Sequence, residues 1–458
     1  MNIIILGANQ VGSALAETLA NEANDITVVD TDAEQLRELR DHVDIGIIIG
    51  QPSHPDILEQ AGGQDADMII AVTESDEINM VACRVAYSMF KTPKKICRIR
   101  AASYLVSNQL FSKKHGIAVD TVISPELIVS KAIGRLLALP GSLQVLDFAE
   151  GKVQLVAVKA FYGGPLVGQE IRLIRQHMPS VDTRVAAIFR KDRPIIPEGS
   201  TVLEAGDEVF FVAAKENIRA CVSELRRMDK PYKRLIIAGG GNIGMRLAES
   251  IENDYQIKII EQDPQRCEFL SESLDKTIVL NGEASQQDFL LEENIEDTDV
   301  FLALRDDDEA NIMSSLLAKR LGAQKVMAMI NNPAYVDLVQ GGEIDIAISP
   351  QQETIGSLLT HVRRGDVVNV HSLRRGAAEA MEAIAHGDQA SSKVVGKEIQ
   401  DIDLPEGTTI GAIVRGNEVL IAHDNTVVES EDHVILFLVD RKRIPQVERL
   451  FQVGISFF

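Results

Sequence analysis

The sequence predicts an α/β protein made of two doubly wound parallel-sheet domains, each followed by a small α+β domain. Three observations carry this expectation. Short apolar runs alternate with amphipathic stretches, the pattern of a parallel sheet with helices on both faces. Two such series open on strand, glycine-bearing turn and helix: MNIIILGANQVG at the start and KRLIIAGGGNIG from Lys233. The second half of the chain then repeats the first at a nearly constant offset. Strand, glycine turn and helix together make each parallel-sheet domain Rossmann-like.

Asn2 to Leu6 is an uncharged apolar run, long enough for a buried strand. Gly7 and Gly12 follow, and apolar spacing through Val11, Leu15 and Leu19 predicts a helix from Gly12 to about Asn21. The series continues with a strand Asp25 to Asp30, a helix around Ala33 to Asp41 and a strand Ile45 to Ile49. Next come a helix near His54 to Gln60, a strand Asp67 to Val72, a helix Asp76 to Met89 and a strand Lys95 to Arg100. A strand around Val119 to Ile123 and a helix Pro125 to Leu139 close it, with Ser124 as N-cap and Pro125 at the first helical position. The texture changes at Pro140-Gly141. Leu143 to Ala149 and Lys152 to Ala160 flank Glu150-Gly151 as a hairpin. A short helix, Gly168 to His177, and strands Arg184 to Phe189 and Glu208 to Ala213 follow. Asp229-Lys230-Pro231 reads as a linker, after which the pattern restarts. The expected domains are 1–140, 141–230, 231–365 and 366–458.

The repeat fixes the correspondence. Gly7, Gly12 and Gly50 map at +232 onto Gly239, Gly244 and Gly282, and Asp76, Glu77 and Asn79 map onto Asp308, Glu309 and Asn311. Ser124-Pro125 maps at +225 onto Ser349-Pro350, which places a seven-residue shortening in the Ser107 to His115 region. Thr183 to Val209 aligns at +225 onto Thr408 to Val434 without a gap. Ala187, Ile188, Arg190, Thr201, Val202, Glu204, Asp207 and Val209 all recur there as the same residue type. A period this long is a duplication of whole domains, since solenoid repeats run about 20–50 residues.

The glycine turns are candidate nucleotide loops, because they aim backbone N–H groups at a helix N-terminus where a pyrophosphate is favoured. Their residues are Gly7, Ala8, Asn9, Gln10, Val11 and Gly12, and Gly239, Gly240, Gly241, Asn242, Ile243 and Gly244. The second loop has the full G-x-G-x-x-G spacing, whereas the first carries Asn9 where the middle glycine lets backbone approach phosphate. Asn9 is expected to crowd that approach, and Asn9→Gly to tighten the first site. Asp30 lies 23 residues after Gly7, and Glu261 lies 22 after Gly239. A carboxylate there accepts hydrogen bonds from a ribose and repels a 2′-phosphate, favouring NAD or an adenine nucleotide over NADP. The structural alternative is an acid capping an exposed turn. Thr73 and Glu74 follow the fourth strand, at the sheet edge where ligands bind, although Thr73 with Asp76 also reads as a helix-capping pair. Arg98 and Arg100 alternate along a strand, and a guanidinium there can neutralise a phosphate. A surface salt bridge is the preferred reading of Arg100. Ile330 and Asn332 stand in their places in the second copy, so the two sites are expected to be unequal.

Other chemistry finds little support. The acidic run Asp306 to Glu309 suits a helix N-terminus better than a metal, since it lacks the turn glycine and ligand spread of a Ca²⁺ loop. No histidine ligand spacing, nucleophile elbow or Walker A loop occurs, so no catalytic residue and no metal ligand is expected. Cys83, Cys97, Cys221 and Cys267 are scattered, as reduced structural thiols would be. A formal charge of −22 argues against nucleic acid and against direct adhesion to anionic lipid. No apolar run approaches the ~18 residues of a membrane span, and no signal-like N-terminus is seen, so a cytosolic location is expected. The paired basics Arg363-Arg364 and Arg374-Arg375 read as solvated surface.

The arrangement resembles the TrkA family of potassium uptake regulators over essentially the whole chain. The resemblance rests on GANQVG with Asp30, GGGNIG with Glu261, and the stretches DEINMVACRVAYSMF, AYVDLVQGGEIDIAISPQ and VVGKEIQDIDLPEGTTIGAIVRG. It implies tandem regulator-of-K⁺-conductance (RCK) modules and binding of NAD(H), and of ATP or ADP. It also implies assembly as a homo-oligomeric ring, a dimer or tetramer, docked on a TrkH- or TrkG-type channel subunit at the cytoplasmic face of the inner membrane. Asn9 departs from the family pattern, where most members carry glycine. The alternatives are a regulatory module of another cation transporter or antiporter, and an NAD-dependent oxidoreductase. The oxidoreductase needs an acid or base facing the nicotinamide, and the small domains offer none.

Overall fold

The computed structural model describes residues 1–22, 24–106, 108–113, 116–191, 193–226, 230–339, 342–363, 366–373 and 378–452. Asp229 of the expected linker, Ser107, Lys114 and His115 of the expected shortening, and Arg364, Arg374 and Arg375 lie outside the described residues. The chain forms two compact units, one of Met1–Ile128 with Gln351–Val362, the other of Val129–Pro350 with Arg363–Phe458.

The first unit is built on a parallel sheet of β1 (Asn2–Leu6), β2 (Asp25–Asp30), β3 (Gly46–Ile49), β4 (Met68–Ala71), β5 (Lys94–Arg98) and β6 (Thr121–Ile123). Their order is β3-β2-β1-β4-β5-β6, so the direction of winding reverses between β1 and β4. Four of the five β1 residues are buried because helices cover both faces. The helices are α1 (Gln10–Ala20), α2 (Ala33–His42), α3 (Pro55–Gln60), α4 (Asp76–Val85), the short α5 (Ala102–Leu105) and α6 (Pro125–Ala138). α4 continues as a π-helical turn over Ala86–Phe90 and ends at Lys91 in the left-handed region. Asp32 caps α2 by accepting the Glu34 and Gln35 N–H groups. Ser75 caps α4 by accepting from Ile78, so the expected Thr73–Asp76 capping pair does not form. The Thr73 hydroxyl instead donates to Asn79 Oδ1 at 2.7 Å, and Asp76 accepts the N–H groups of Arg100 and Ala101. Ser124 precedes α6 as expected, but its buried hydroxyl has no hydrogen-bond partner among the described residues.

The second unit carries three sheets. An antiparallel sheet holds β7 (Ser142–Phe148), β8 (Val153–Lys159), β9 (Thr183–Arg190), β10 (Arg193–Ile195) and β11 (Glu208–Ala214), in the order β10-β9-β11-β8-β7. Only a 3₁₀ turn (Ile171–Leu173) and the single-turn α7 (Ile174–His177) form where a helix from Gly168 was expected, since Gly168 has φ +87°. α8 (Ile218–Leu225) packs Ile218, Cys221, Val222 and Leu225 inward. A second parallel sheet follows in the order β14-β13-β12-β15-β16-β17. Its strands are β12 (Arg234–Ala238), β13 (Gln256–Glu261), β14 (Ile278–Asn281), β15 (Val300–Ala303), β16 (Lys325–Met329) and β17 (Ile346–Ile348). Its helices are α9 (Asn242–Ile251), α10 (Pro264–Ser273), α11 (Gln287–Glu292), α12 (Asp308–Arg320), α13 (Pro333–Val339) and α14 (Pro350–Val362). The last sheet, β18-β19-β22-β20-β21, contains β18 (Val367–Leu373), β19 (Ala378–Ala385), β20 (Thr408–Arg415), β21 (Glu418–Ile421) and β22 (Asp432–Leu438), with α15 (Ile444–Leu450) after it. The two antiparallel sheets share one apolar core that includes Phe148, Phe189, Phe210, Leu373, Ile435 and Phe437. All four cysteines are free thiols.

The final helices of the two parallel-sheet series change company. From Val129 onward α6 belongs to the second unit, and from Gln351 onward α14 belongs to the first. There Gln351 Nε2 donates to the Gln10 carbonyl at 2.9 Å, and the Lys94 ammonium donates to the His361 carbonyl.

The recurring residues of the small domains have a shared physical cause. Arg190 binds Asp207 through two N–H groups at 2.8 Å each and reaches the Val202 carbonyl. Arg415 does the same with Asp432, at 2.9 and 2.8 Å, and with Val427. Both aspartates are essentially inaccessible, so removing the arginine strands a buried charge. Arg190→Ala and Arg415→Ala are each expected to destabilise the chain by about 3 kcal/mol, read from the first transition in urea unfolding.

Candidate functional site

Each glycine turn sits at the carboxyl edge of its parallel sheet, between β1 and α1 in one copy and between β12 and α9 in the other. Gly7 and Gly239 have φ +109° and +119°, which L side chains rarely adopt. A Cβ on Gly12 would lie 1.9 Å from the Gly7 carbonyl oxygen, and one on Gly244 2.1 Å from that of Gly239. These four glycines are therefore required by the turns themselves. The middle position differs, because nothing lies within 4 Å of a Cβ built on Gly241.

The acids at the ends of β2 and β13 tie the turns down. Asp30 Oδ2 accepts the Ala8 N–H at 2.6 Å, and its Oδ1 accepts the Asp32 N–H at 3.0 Å. Glu261 Oε2 accepts the Gly240 N–H at 2.8 Å, and its Oε1 accepts those of Gln262 and Asp263 at 2.8 and 3.0 Å. Each carboxylate thus holds the turn against the following segment, and with about four lone-pair sites it retains acceptor capacity.

The Asn9 side chain lies at the helix start. It caps α1, taking the Gly12 N–H on Oδ1 at 3.2 Å, while Nδ2 donates to the Val72 carbonyl at 2.7 Å and to Glu74 at 2.9 Å. Gly241 holds the same place before α9 with no side-chain cap. The exposed Gln10 and the half-buried Val11 open α1, as the exposed Asn242 and half-buried Ile243 open α9.

Glu74 gathers the first edge. Arg98, 7% exposed, reaches it at 3.4 Å and the Val72 carbonyl at 3.4 Å, while its buried Nε has no partner. Arg100 pairs with Glu126 at 2.8 Å and with Glu74 at 3.4 Å, the salt bridge the sequence suggested. Thr73 is held by Asn79, whose Oδ1 takes the Thr73 N–H and whose Nδ2 donates to the Thr73 and Arg98 carbonyls. Asn311 repeats this between Arg305 and Met329. Nearby, the hydrogen bonds that Tyr104 and Tyr335 donate to Glu77 and Glu309 hold both phenols above the usual tyrosine range.

The second edge takes its cations from elsewhere. The repeat slips to +231 at this strand, so Met329 and not the expected Ile330 takes the place of Arg98, and it is buried. Arg305, which the +232 offset pairs with Thr73, lies against Gly239 and binds Glu283 and Gln262 at 3.0 Å each. Arg266 donates to the Gly240 carbonyl at 2.7 Å. Neither arginine was singled out in the sequence. Arg305 was reachable by applying the repeat offset to Thr73. In the acidic run, Asp307 caps α12 and Asp308 accepts the Asn331 and Asn332 N–H groups. Among the described residues no group of three or more side chains is placed to hold a metal ion.

This geometry separates glycines kept for packing from one that is not. Gly12→Ala and Gly244→Ala are expected to cost about 1–3 kcal/mol each through overpacking, seen as lower thermal midpoints. Gly241→Asn, which enters open space and copies the first turn, is expected to leave the midpoint unchanged.

Comparison with known proteins places these features in a family. The TrkA-N domain model matches residues 3–125 and 235–350, and the TrkA-C domain model matches 155–225 and 389–452. The Trk system potassium uptake protein TrkA of Halomonas elongata is 66% identical over 458 residues, covering all of both chains. That of Vibrio alginolyticus is 60% identical over 452 residues, 99% of each chain. Among solved structures, the GsuK RCK domain aligns with a TM-score of 0.60 at 18% identity, covering 98% of this chain and 95% of that one. The GsuK channel bound to NAD aligns at 0.59 and 19%, covering 98% and 79%. The two likenesses to solved structures establish the fold, and the full-length identity establishes the lineage: the chain belongs to the TrkA family of Trk system potassium uptake proteins.

Proposed function

We propose that this chain senses nucleotide for a Trk-type potassium uptake system, binding NAD(H), or ATP and ADP, at two unequal sites and gating a membrane K⁺ channel subunit of the TrkH or TrkG type. In this reading it is a regulatory protein and not an enzyme. The observation that carries the reading is the pair of carboxylate-tied glycine turns at two parallel-sheet edges of one chain. In the first site the turn Gly7 to Gly12 offers its helix N-terminus to phosphate, Asp30 takes a ribose hydroxyl, and Thr73, Glu74 and Arg98 line the edge. In the second, Gly239 to Gly244 and Glu261 do the same, with Arg305 as the nearby cation. Gly241 supports close phosphate approach, because the protein itself leaves that side open.

A nucleotide moves a gate only by binding its two states with different affinity. Two sites with different cations allow different ligands to favour different states. Among the described residues no helix is long and apolar enough to cross a membrane. The proposed placement is peripheral, as a homo-oligomeric ring of modules on the cytoplasmic face beneath the channel.

Calorimetric titration of NAD⁺, NADH, ATP and ADP tests the sites. Asp30→Ala and Glu261→Ala are each expected to weaken one class of binding at least ~10-fold, the loss of charge-assisted hydrogen bonds. Unchanged binding of all four ligands in both variants rules out the assignment. Asn9→Gly frees the Gly12 N–H but releases Val72 and Glu74, so first-site affinity is expected to be no tighter than in the parent. Potassium flux through the reconstituted channel, with and without nucleotide, tests the gating.

A further inference from the structure

Within the second unit, α6, the β7–β8 hairpin and the segment leading into α8 enclose a groove of about 650 Å³. That is the volume of a small-molecule site. Lys131 and Arg135 line it from α6, and Lys215 and Arg219 line it from the other wall. The carboxylates facing them are Asp147 and Glu216. Four cations against two acids is a local reversal in a chain of formal charge −22. Arg135 approaches Asp147 only at 3.5 Å, and its buried Nε has no hydrogen-bond partner. Lys131, Lys215 and Arg219 make no ion pair among the described residues. Gly134, midway along α6, also faces the groove, and nothing lies within 4 Å of where its Cβ would stand. A mid-helix glycine costs helix stability, so the space it leaves calls for a reason.

The duplication provides an internal comparison. At +225, Ala138 becomes Arg363 and Gln154 becomes Glu379. Lys215, first in its 3₁₀ turn, corresponds to Arg441, first in the matching turn. In that copy Arg363 grips Glu379 through two N–H···O contacts at 2.7 and 3.1 Å, with both side chains 1% exposed. Arg441 approaches the same carboxylate at 3.4 Å. The second copy therefore holds a buried anion of its own between basic groups from helix and turn. The first copy keeps the basic turn residue but has Ala138 in the place of Arg363, takes its helix cations from Lys131 and Arg135 instead, and has the neutral Gln154 where that carboxylate stands, with Gln154 turned to Asp147 at 2.9 Å.

We propose that the first-copy groove binds a small organic phosphate, whose charge occupies the role that Glu379 fills in the second copy. The surplus of two positive charges matches a dianion. The guanidinium forks of Arg135 and Arg219 suit paired phosphate oxygens, and Lys131 and Lys215 add point charges. The site is separate from the glycine turns and does not depend on how they are read.

Calorimetry of the full chain with pyrophosphate as probe tests this, with succinate as the dicarboxylate comparison. Pyrophosphate is expected to bind at a site that Arg135→Gln weakens at least ~10-fold. Gly134→Leu, which fills open space and raises helix propensity, is expected to remove that site without lowering the thermal midpoint. The double variant Ala138→Arg/Gln154→Glu rebuilds the second copy's pair and is expected to remove it too. The double variant Asp30→Ala/Glu261→Ala should retain it, which separates this groove from the glycine turns. Absence of pyrophosphate binding in the parent, or equal binding in all three groove variants, overturns the proposal. Succinate binding with the groove pattern and without pyrophosphate binding overturns the phosphate assignment.

Discussion

Both glycine turns depend on one interaction, a strand-end carboxylate that accepts a backbone N–H from the residue after the first glycine. Asp30 does this for Ala8, and Glu261 for Gly240. The bond matters because the turn is otherwise poorly constrained. Its first glycine sits at positive φ, and its last must lie within contact of the first one's carbonyl. A carboxylate that reaches both the turn and the start of the next segment fixes where the helix dipole points. The aspartate and the longer glutamate achieve the same bond, so the chemistry of the tie has been kept while its side chain has changed.

The duplication shows which features belong to the fold and which have diverged. The Arg–Asp pairs of the small domains and the asparagines under the two sheet edges recur with the same partners. All of them satisfy buried polar groups, where a lost partner is costly whatever the protein does. Cations at the sheet edges have no such constraint. The first edge has Arg98 at the end of β5, and the second buries Met329 there and has Arg305 just beyond β15. Residues that differ where nothing structural forces them to agree are the ones expected to discriminate between ligands.

Most of the architecture was legible because it rests on local pattern. The apolar runs of β1 and β12, the glycine turns and the repeat offset give two parallel-sheet domains, each followed by a small α+β domain, in the observed order. What was not legible depends on neighbours in space. Asn9 reads as an intrusive side chain until Val72 and Glu74, both distant in sequence, are seen to accept its amide. Thr73 with Asp76 reads as a capping pair by sequence, and Asn79 overturns it by claiming Thr73, which leaves the cap to Ser75. The inward face of α8, Ile218, Cys221, Val222 and Leu225, has helical spacing, but the strand pattern before it does not mark where the helix starts. The exchange of α6 and α14 between units leaves no trace in either helix, since an apolar face does not name its partner.

A phosphate at the first edge, as the proposed function has it, meets contacts already made. Arg98 is already engaged by Glu74, and Glu74 is held in turn by Asn9 and Arg100. Arg100 continues to Glu126, in the first turn of α6. A phosphate drawn to Arg98 competes with Glu74 for it, and any release of Glu74 is felt at both the cap of α1 and the start of α6. Contiguity of this kind is a route and not in itself a coupling. It becomes one only if α6 has two arrangements that bias the Glu74 contacts differently. That helix is where the chain passes from one compact unit to the other, between Ile128 and Val129. Within the first unit, the sheet edge at Arg98 and the first turn of α6 are therefore linked by four charged side chains, Arg98, Glu74, Arg100 and Glu126.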